Sequence, residues 1–262
     1  MTAGRDHDGL LKYPRTPHLQ GSRLQPGDGD LHNVPFSTIA GLEMVVEEKV
    51  DGQNAAVSFA DDGSLLLQSR GHYLRGGPRE ASFAPFKSWA HGHRDALFAA
   101  LGVRYILFGE WCYAKHTIFY DALPHWFLAF DVFDRDRGVF IDTAARRQLL
   151  INTEVQEVPV LHIGVVETVD HLLSFVGPSR CKTSQWRTGL RQAAAVVAHL
   201  DVDRALRDTD DEDAMEGLYV KIERAGVVVE RLKWVRASFL QVVESSNSHW
   251  FDRPIVVNGA RS

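Results

Sequence analysis

The chain has 262 residues, of which 45% are hydrophobic and 24% charged, a composition typical of a globular protein that buries a core. Its formal net charge of −5 argues against a protein that coats DNA non-specifically, although a local basic groove remains compatible with it. No apolar run could cross a bilayer and the N-terminus is polar, so we expect a cytoplasmic, non-membrane protein. Cys112 and Cys181 lack the spacing of metal ligands, and we expect both to be reduced thiols, with a single disulfide as the alternative.

Residues 1–42 predict an irregular N-terminal arm. Residues 1–10 are polar and lack an apolar period, which is typical of disorder. Residues 11–35 contain four prolines between isolated apolar residues, a pattern that indicates an ordered but irregular arm. We therefore expect the folded domain to begin at Glu43.

From Glu43 onward the sequence predicts short strands that pair in an antiparallel manner. Asp61-Asp62-Gly63 is a hairpin turn signal, and residues 84–101 have a helical pattern instead. Residues 126–133 are nearly continuous in apolar side chains, which predicts a strand that is buried on both faces. The β-rich runs in this part of the chain are residues 44–50, 54–59, 64–68, 104–111 and 126–133.

The C-terminal half combines helical patterns with a final hairpin. Residues 143–210 show helical apolar periodicity, which predicts a helical insert in the domain. Two strands follow at residues 217–223 and 227–235, joined by a turn at Ala225-Gly226. Residues 237–262 then form a short tail.

Lys49 is the first candidate for covalent chemistry. It ends a predicted strand, and Asp51-Gly52 predicts a turn directly after it, so the amine is presented at the mouth of a pocket. A lysine amine attacks phosphorus once its proton has gone and the phosphate charge is neutralised. The alternative is a surface lysine beside a hairpin turn. Asp51 is a candidate hydrogen-bond acceptor, metal neighbour or plain turn residue, and Asn54 either orients a phosphate or ribose or caps the next strand.

Glu110 and Phe130 are candidates for binding a nucleoside. A carboxylate at the end of an apolar strand needs solvent, a partner or a ligand, and a ribose offers Glu110 two hydroxyl donors. Phe130 is a candidate for stacking on a purine base. Phe127 and Phe133 are alternatives, and a position in the apolar core is the default interpretation for all three. Arg70 offers a further contact to phosphate or sugar.

Two basic residues near the C-terminus share one strand face. Arg231 and Lys233 are two apart, as two cations that grip one polyphosphate should be, although an exposed basic face is the alternative. Glu216 and Lys221 are five apart, which would place them on opposite faces of a regular strand. A bulge or twist is therefore needed if both are to reach one ligand.

These segments, in this order, resemble the nucleotidyltransferase superfamily of ATP-dependent ligases and mRNA-capping guanylyltransferases. The resemblance spans about residues 43–236, and residues 48–54 and 129–132 are most similar to RNA ligases of the RNA ligase 2 type. It implies an α+β fold, an ATP-grasp-like ligase adenylation domain with antiparallel sheets around an ATP pocket and helices packed outside. The motifs that carry it are Lys49–Gly52, Arg70, Phe108–Trp111, Phe127–Phe133, Glu216–Lys221 and Arg231–Lys233.

The resemblance also implies a reaction and its cofactors. Lys49 would attack the α-phosphate of ATP and form a lysine–AMP phosphoramidate, the AMP would pass to the 5′-phosphate of an RNA, and a 3′-hydroxyl would displace it. The implied cofactors are ATP and Mg²⁺ or Mn²⁺, with Glu216 as the metal contact and with Lys221 and Lys233 on the α-phosphate. The remaining nucleotide-binding positions that it implies are Glu48, Val50, Asp51, Asn54, Arg70, Glu110 for ribose, Phe130 for the base, and Arg231.

The sequence departs from the family pattern in two places and leaves alternatives open. Arg231 stands where the family has lysine, and arginine is bulkier and forked. Only 26 residues follow Arg236, too few for the OB domain of DNA ligases and capping enzymes or the helical C-terminal domain of many RNA ligases. We expect the arm, the insert or a separate end-processing protein to sense RNA ends. The alternatives are DNA or hybrid ends, a capping-type transferase, and a nucleotide-binding module without catalysis.

Overall fold

A computed structural model describes residues 9–24, 33–245 and 254–261 of the chain. The disorder expected for residues 1–10 lies almost entirely outside these ranges. The strands are β1 (His18–Leu19), β2 (Asn33–Val34), β3 (Glu43–Lys49), β4 (Gln53–Phe59), β5 (Leu65–Ser69), β6 (Tyr105–Trp111), β7 (Phe127–Asp134), β8 (Val139–Phe140), β9 (Gln156–Glu157), β10 (Val160–Val165), β11 (Gly217–Arg224) and β12 (Val227–Val235). The helices are α1 (Ala84–Gly92), α2 (Arg94–Leu101), α3 (Thr143–Leu150), α4 (Val169–Leu173), α5 (Trp186–Ala195), α6 (Val202–Arg207) and α7 (Ala237–Ser245), with 3-10 helices at Phe36–Thr38 and Pro78–Phe83.

The first sheet has the strand order β10-β3-β11-β12-β1-β2. Its central strands are antiparallel, and β1 from the N-terminal arm adds to the edge of β12 in parallel. Side chains alternate between the two faces of each strand, so Met44 and Val46 enter an apolar cluster while Glu47 and Lys49 face the other way. The same alternation on β11 sends Leu218 and Val220 into that cluster. The opposite face of this sheet carries charged residues from three strands, among them Glu47, Lys221 and Arg231.

The second sheet has the order β5-β4-β6-β7-β8, with the short strand β9 pairing in parallel with β7. Its outer face packs against α1, α2 and α3, which bury Phe86, Leu97 and Leu150 in one core with Val57 and Leu107. Its other face looks toward the charged face of the first sheet. The chain passes from the first sheet to the second in three residues, between the end of β3 and the start of β4.

A β-bulge in β7 changes which residues face the cleft between the sheets. Phe108 pairs with Asp131 and the next residue, Gly109, pairs with Ala129, so Phe130 is the extra residue. The bulge lets Phe130 and Asp131, adjacent in sequence, both face the first sheet, whereas Phe127 and Phe133 are buried in apolar clusters. The three phenylalanines that the sequence left as rivals are thus distinguished by one backbone irregularity.

The predicted α+β class with mainly antiparallel sheets is confirmed. Residues 143–210, predicted to be helical, contain helices and also the strands β9 and β10. Strand β10 pairs with β3 along most of its length. This segment therefore contributes strands to both sheets as well as helices. A strand of six residues with intermediate burial, such as β10, lacks the continuous apolar run that would have indicated it. The boundaries at 42 and 236 stay a prediction.

The remaining expectations concern membranes and cysteines. Within the part of the chain that the structure describes, no helix combines the length and apolar character that a membrane span requires. Cys112 and Cys181 are both buried and unpaired as thiols. Burial raises the pKa of both thiols, so neither is a reactive thiolate at neutral pH.

Candidate active site

Lys49 is the last residue of β3, at the point where the chain leaves the first sheet. Its ammonium donates to Glu216 Oε2 at 2.7 Å, and 23% of its side chain remains exposed. Burial lowers the pKa of the Lys49 amine, but the carboxyl groups of Glu216, Glu110 and Asp51 outweigh that effect and raise it above its ordinary value. The amine is therefore protonated before any nucleotide binds, and it is held in one position while staying accessible.

The turn after Lys49 is held by the loop between β6 and β7. Asp51 Oδ2 accepts hydrogen bonds from the backbone N–H groups of Thr117 and Ile118, each at 2.8 Å, and the Asp51 N–H donates to the Tyr120 hydroxyl at 2.8 Å. Gly52 is required here, because a Cβ at this position would lie 2.8 Å from the Trp111 carbonyl oxygen. The turn is thus fixed by side-chain and backbone contacts from a distant loop.

Two carboxyl groups face Lys49 with raised pKa values. Burial raises the pKa of Glu110 to about 8, and the negative charges of Glu216 and Asp51 add to this effect against the opposing charge of Lys49. Burial likewise raises the pKa of Glu216 to about 7, against the charges of Lys49 and Lys233. Such paired, desolvated carboxyl groups around one lysine are characteristic of functional sites.

Asn54 and Arg70 lie on the second sheet beside this cluster. Asn54 pairs with Glu110 across β4 and β6, and its Oδ1 is buried with no hydrogen-bond partner. A buried amide oxygen without a partner is costly unless a ligand donates to it, and a ribose hydroxyl is such a donor. Arg70 follows the last residue of β5 and is exposed. Its contact with phosphate or sugar stays a prediction.

Phe130 lies across the cleft from Tyr219 on β11. The two ring centroids are 6.4 Å apart and the planes are inclined by 34°, and Phe130 is only partly buried. A planar base can stack on ring faces of this kind. Tyr13 from the N-terminal arm packs edge-on against Phe130 at 5.0 Å and shares a hydrogen bond with the Tyr219 hydroxyl at 2.7 Å, so the arm helps to orient both rings.

Lys221 is completely buried and lies away from Lys49. Its ammonium is 2.8 Å from Glu47 and 2.9 Å from Asp131, and it donates to the Phe130 carbonyl oxygen. Arg146 from α3 lies 3.0 Å from the same Glu47. Because Glu216 contacts Lys49 whereas Lys221 contacts Glu47 and Asp131, the structure does not bring Glu216 and Lys221 together. The role of Lys221 on the α-phosphate stays a prediction.

Arg231 and Lys233 share one face of β12, as predicted from their spacing. Arg231 Nη1 lies 3.2 Å from Asp131 Oδ2, and the guanidinium stacks 3.9 Å from the centre of the Phe140 ring, leaving 11% of the side chain exposed. Arg231 therefore anchors the far end of the cleft. Lys233 pairs with Tyr219 in register and is close enough to Glu216 to lower the pKa of that carboxyl. Of the two, Lys233 is nearer to the Lys49 cluster.

Glu48 and Val50 have side chains that point away from Lys49. Glu48 accepts hydrogen bonds from the Ser179 hydroxyl at 2.5 Å and the Arg180 N–H at 2.9 Å on the other face of the sheet. Val50 is buried in an apolar cluster. Alternation along β3 explains the first placement, since neighbours of Lys49 must face the opposite side. Any contact of Glu48 with a nucleotide would have to come from its backbone.

The carboxyl groups present fit a divalent cation that arrives together with a nucleotide. Within the described residues, no group of three or more His, Cys, Asp or Glu side chains could hold a metal ion by itself. Mg²⁺ is usually bound by one or two carboxylates together with substrate phosphates and water. Glu216, buried beside Lys49 and facing the cleft, is a donor of that kind.

Several residues of the site carry no obvious signal in the sequence. Tyr219 lies within a motif but was not singled out, although its separation of two residues from both Gly217 and Lys221 places it on the same strand face as they are. Glu47 follows the same rule relative to Lys49. Tyr13 and Asp131 meet through a hydrogen bond of 2.5 Å between residues 118 positions apart, which no local pattern predicts.

Comparisons with known proteins identify the family and the fold. A model of the RNA ligase family matches residues 42–235 of the chain. A search of curated proteins found no match. Among solved structures, the fold is similar to the apo form of a Naegleria gruberi RNA ligase variant, with a TM-score of 0.55 and 17% identity over 94% of this chain and 61% of that one.

Two further structures of the Naegleria gruberi RNA ligase are similar to the chain. A variant with AMP and Mn has a TM-score of 0.53 and 17% identity, covering 88% of this chain and 57% of that one. The form with PPi has a TM-score of 0.51 and 18% identity, covering 90% of this chain and 64% of that one. At this level of identity the likeness concerns the fold, and the chain spans between 57% and 64% of the length of these three structures.

Proposed function

Because the chain belongs to the RNA ligase family, whose model matches residues 42–235, we propose that it is an ATP-dependent RNA ligase. It joins 5′-phosphate and 3′-hydroxyl ends of RNA through a covalent lysyl-AMP intermediate on Lys49, and its role is RNA repair. ATP and Mg²⁺ or Mn²⁺ are its cofactors. The activity needs a direct test, because the chain matches 57–64% of the length of the three similar RNA ligase structures.

The observation that carries the proposal is the pair formed by Lys49 and Glu216. The ammonium is fixed 2.7 Å from a buried carboxylate at the junction of the two sheets, yet part of the side chain is open to the cleft. A nucleophile must be both positioned and reachable by the atom that it attacks. A surface lysine beside a hairpin turn would meet the second requirement and not the first.

In the first step the Lys49 amine loses its proton and attacks the α-phosphorus of ATP. A P–N bond forms, the bond from the α-phosphorus to the bridging oxygen breaks, and pyrophosphate leaves. Glu216 accepts a hydrogen bond from the Lys49 ammonium at 2.7 Å and is therefore the carboxylate that lies next to the departing proton. Glu216 would also hold Mg²⁺ or Mn²⁺, and the bound ion would neutralise charge on the phosphates.

The nucleoside is held between the two sheets. Phe130 and Tyr219 offer ring faces to the adenine, whereas Glu110 and the unpartnered Asn54 Oδ1 offer acceptors to the ribose hydroxyls. Lys233 provides a cation near the phosphates. In the later steps the AMP passes from Lys49 to an RNA 5′-phosphate, and a 3′-hydroxyl oxygen displaces it to form the phosphodiester.

The test is the intact mass of the protein after incubation with Mg²⁺ and, separately, ATP, GTP and NAD. We expect an AMP-sized increase with ATP that is absent in Lys49→Ala, because Lys49 is the proposed attacking amine. A GMP-sized increase would indicate a capping-type transferase instead. No increase with any donor, in folded protein that is not already adenylylated, would leave a nucleotide-binding module as the better interpretation.

Once the adduct is found, the substrate can be identified with end-labelled strands. Nicked duplexes that differ only in having RNA or DNA at the nick, and free RNA strands, would be offered to the adenylylated protein. We expect sealing of RNA ends with release of AMP. Sealing restricted to DNA would contradict the RNA assignment while leaving the lysyl-AMP chemistry intact.

A further inference from the structure

The C-terminal segment, residues 254–261, runs beside the loop that holds the turn after Lys49. We call residues 112–123 the Asp51 loop, because two of its amides bind the Asp51 carboxylate. Val257 bridges to Ala114 in antiparallel fashion and Ala260 bridges to Leu123 in parallel. Backbone bonds from Lys115 to Val256 at 2.8 Å and from Gly259 to Tyr120 at 2.8 Å join the same two segments.

Asn258 is the centre of this contact. Its Oδ1 accepts the Tyr120 N–H at 2.9 Å, and its Nδ2 donates to the Cys112 carbonyl oxygen at 2.8 Å. Its own N–H donates to the Tyr113 carbonyl at 2.9 Å, and its carbonyl accepts the Trp126 indole N–H at 2.8 Å. Only 1% of the residue is exposed. The side chain therefore ties the start of the Asp51 loop to its far end.

The residues tied by Asn258 are those that reach the active site. Tyr120, whose N–H binds Asn258, uses its hydroxyl to accept the Asp51 N–H at 2.8 Å. Thr117 and Ile118, between the two tied points, donate to the Asp51 carboxylate. Asp51 stands two residues after Lys49, with only Val50 between them. A continuous path of hydrogen bonds thus connects Asn258 with the strand end that carries the proposed nucleophile.

We propose that Asn258 is a positioning residue for Lys49. By bridging Cys112 and Tyr120 it holds the Asp51 loop closed, the loop holds Asp51, and Asp51 fixes the direction in which the Lys49 side chain leaves β3. This inference rests on the proposed function, since it matters only if Lys49 is the attacking group. A displacement of about 1 Å in a reacting group costs about a hundredfold in rate, so a modest loosening of the loop has a measurable effect.

An asparagine is the side chain that this position requires. The bridge needs one acceptor for an N–H and one donor for a carbonyl oxygen on the same short side chain, which the amide supplies. Aspartate would keep the acceptor, lose the donor and direct a negative charge at the Cys112 carbonyl. Alanine would leave both buried backbone groups without partners.

The test compares Asn258→Ala with Val256→Ala in the full chain. Val256 lies in the same segment and is buried with Phe119, Trp186 and Leu190, so its truncation weakens packing there but keeps the bonds of Asn258. The measurement is the single-turnover rate of lysyl-AMP formation at a temperature well below the unfolding of either variant. For Asn258→Ala we expect a fall of roughly 10- to 100-fold in the maximal rate and little change in the half-saturating ATP concentration.

For Val256→Ala we expect a rate close to that of the wild type. Slowing of both variants in proportion to their lost stability would overturn the inference, as would an unchanged rate in Asn258→Ala. A double variant with Tyr120→Phe adds a second criterion. If Asn258 acts through the loop, the two effects are strongly non-additive, whereas independent effects would multiply.

Hydrogen exchange of the Thr117 and Ile118 amides separates this inference from the proposed function. If the wild type forms no adduct with any donor, the proposed function fails. The exchange measurement still shows whether Asn258 holds the Asp51 loop in place. We expect both amides to exchange faster in Asn258→Ala than in Val256→Ala, because the loop opens without its tie. Equal exchange in the two variants would rule out Asn258 as the residue that holds the loop.

Discussion

Lys49 lies among carboxyl groups whose charges decide when its amine is neutral. Burial favours the neutral amine and lowers its pKa, but Glu216, Glu110 and Asp51 together favour the ammonium more strongly and raise the pKa above its ordinary value. Before a nucleotide binds, the Lys49 amine is therefore in its protonated, unreactive form. Whatever neutralises those carboxylates also activates the amine.

We expect the rate of lysyl-AMP formation to rise from about pH 6 to about pH 9, because below its pKa the neutral fraction of an amine grows about tenfold per pH unit. The measurement is the single-turnover rate at saturating ATP and Mg²⁺ across this range, with Lys49→Ala as the blank. A rate that is flat or falls over the whole range would show that deprotonation of Lys49 does not limit the step.

Glu110 is expected to reduce the stability of the free protein at alkaline pH. Burial raises the folded-state pKa of this carboxyl to about 8 from its ordinary 4.5, so between these values the folded protein binds more protons than the unfolded chain. The free energy of unfolding therefore falls as pH rises through this window and stays lower above it. A buried carboxyl group that costs stability in this way is typical of a functional site.

The corresponding prediction is that Glu110→Gln stabilises the metal-free protein near pH 8.5 and has little effect near pH 4.5, where the wild-type carboxyl is largely protonated in the folded state. Thermal unfolding at both pH values measures this, with each kcal/mol worth roughly 2–4 °C in a chain of this size. The same variant should form the adduct more slowly, because its acceptor for ribose is weakened. An equal effect at the two pH values would contradict a charge-based origin.

Strands β11 and β12 approach each other so closely at Gly217 that no side chain fits. A Cβ there would lie 1.9 Å from the Trp234 carbonyl oxygen, a backbone atom that cannot move without breaking the pairing of the two strands. Gly217 directly follows Glu216 and faces Lys49 across the β3–β11 pairing. The packing of β3, β11 and β12 therefore requires glycine at position 217.

Gly217→Ala is expected to destabilise the protein severely and to displace Glu216 from Lys49. Gly71→Ala is the matched control, because a Cβ at Gly71 meets no atom within 4 Å. Urea unfolding of both variants measures the difference. If the two variants were equally stable, the close approach at Gly217 would not be a constraint on the folded chain.

The two sheets are joined across the cleft by buried ion pairs. Lys221 of the first sheet lies 2.8 Å from Glu47 of its own sheet and 2.9 Å from Asp131 of the second. Burial raises the pKa of Asp131, but Lys221 and Arg231 outweigh this and hold it below its ordinary value. Lys221 thus sets the spacing of the sheets at the end of the cleft opposite Lys49.

We expect Lys221→Met to cost about 3–5 kcal/mol of stability, because it leaves two buried carboxylates without their shared cation. Arg224→Met is the control, since Arg224 is on the same strand but exposed. Chemical unfolding of both variants gives the comparison. If Lys221→Met instead kept its stability and lost only the rate of adduct formation, the lysine would act on the phosphate, as the family resemblance implies.

Local patterns were sufficient for most of the architecture. The run 217–223 alternates between apolar and polar side chains, and this period of two predicts a half-buried strand. The order of Lys49, Glu110, Glu216 and Lys233 along the chain was sufficient to indicate the family, which the match over residues 42–235 confirms. Strand β10 escaped detection because its burial pattern is irregular at a sheet edge.

The partners of the charged residues were decided by the tertiary structure. The sequence places Lys221 on the same face as Tyr219, but only the packing of the two sheets brings it to Asp131. Likewise the bulge at Phe130 and the bridge formed by Asn258 join segments that are far apart in the chain. Alternation within a strand fixes which side a residue faces, whereas what lies opposite depends on strand register and sheet packing, which are properties of the whole folded chain.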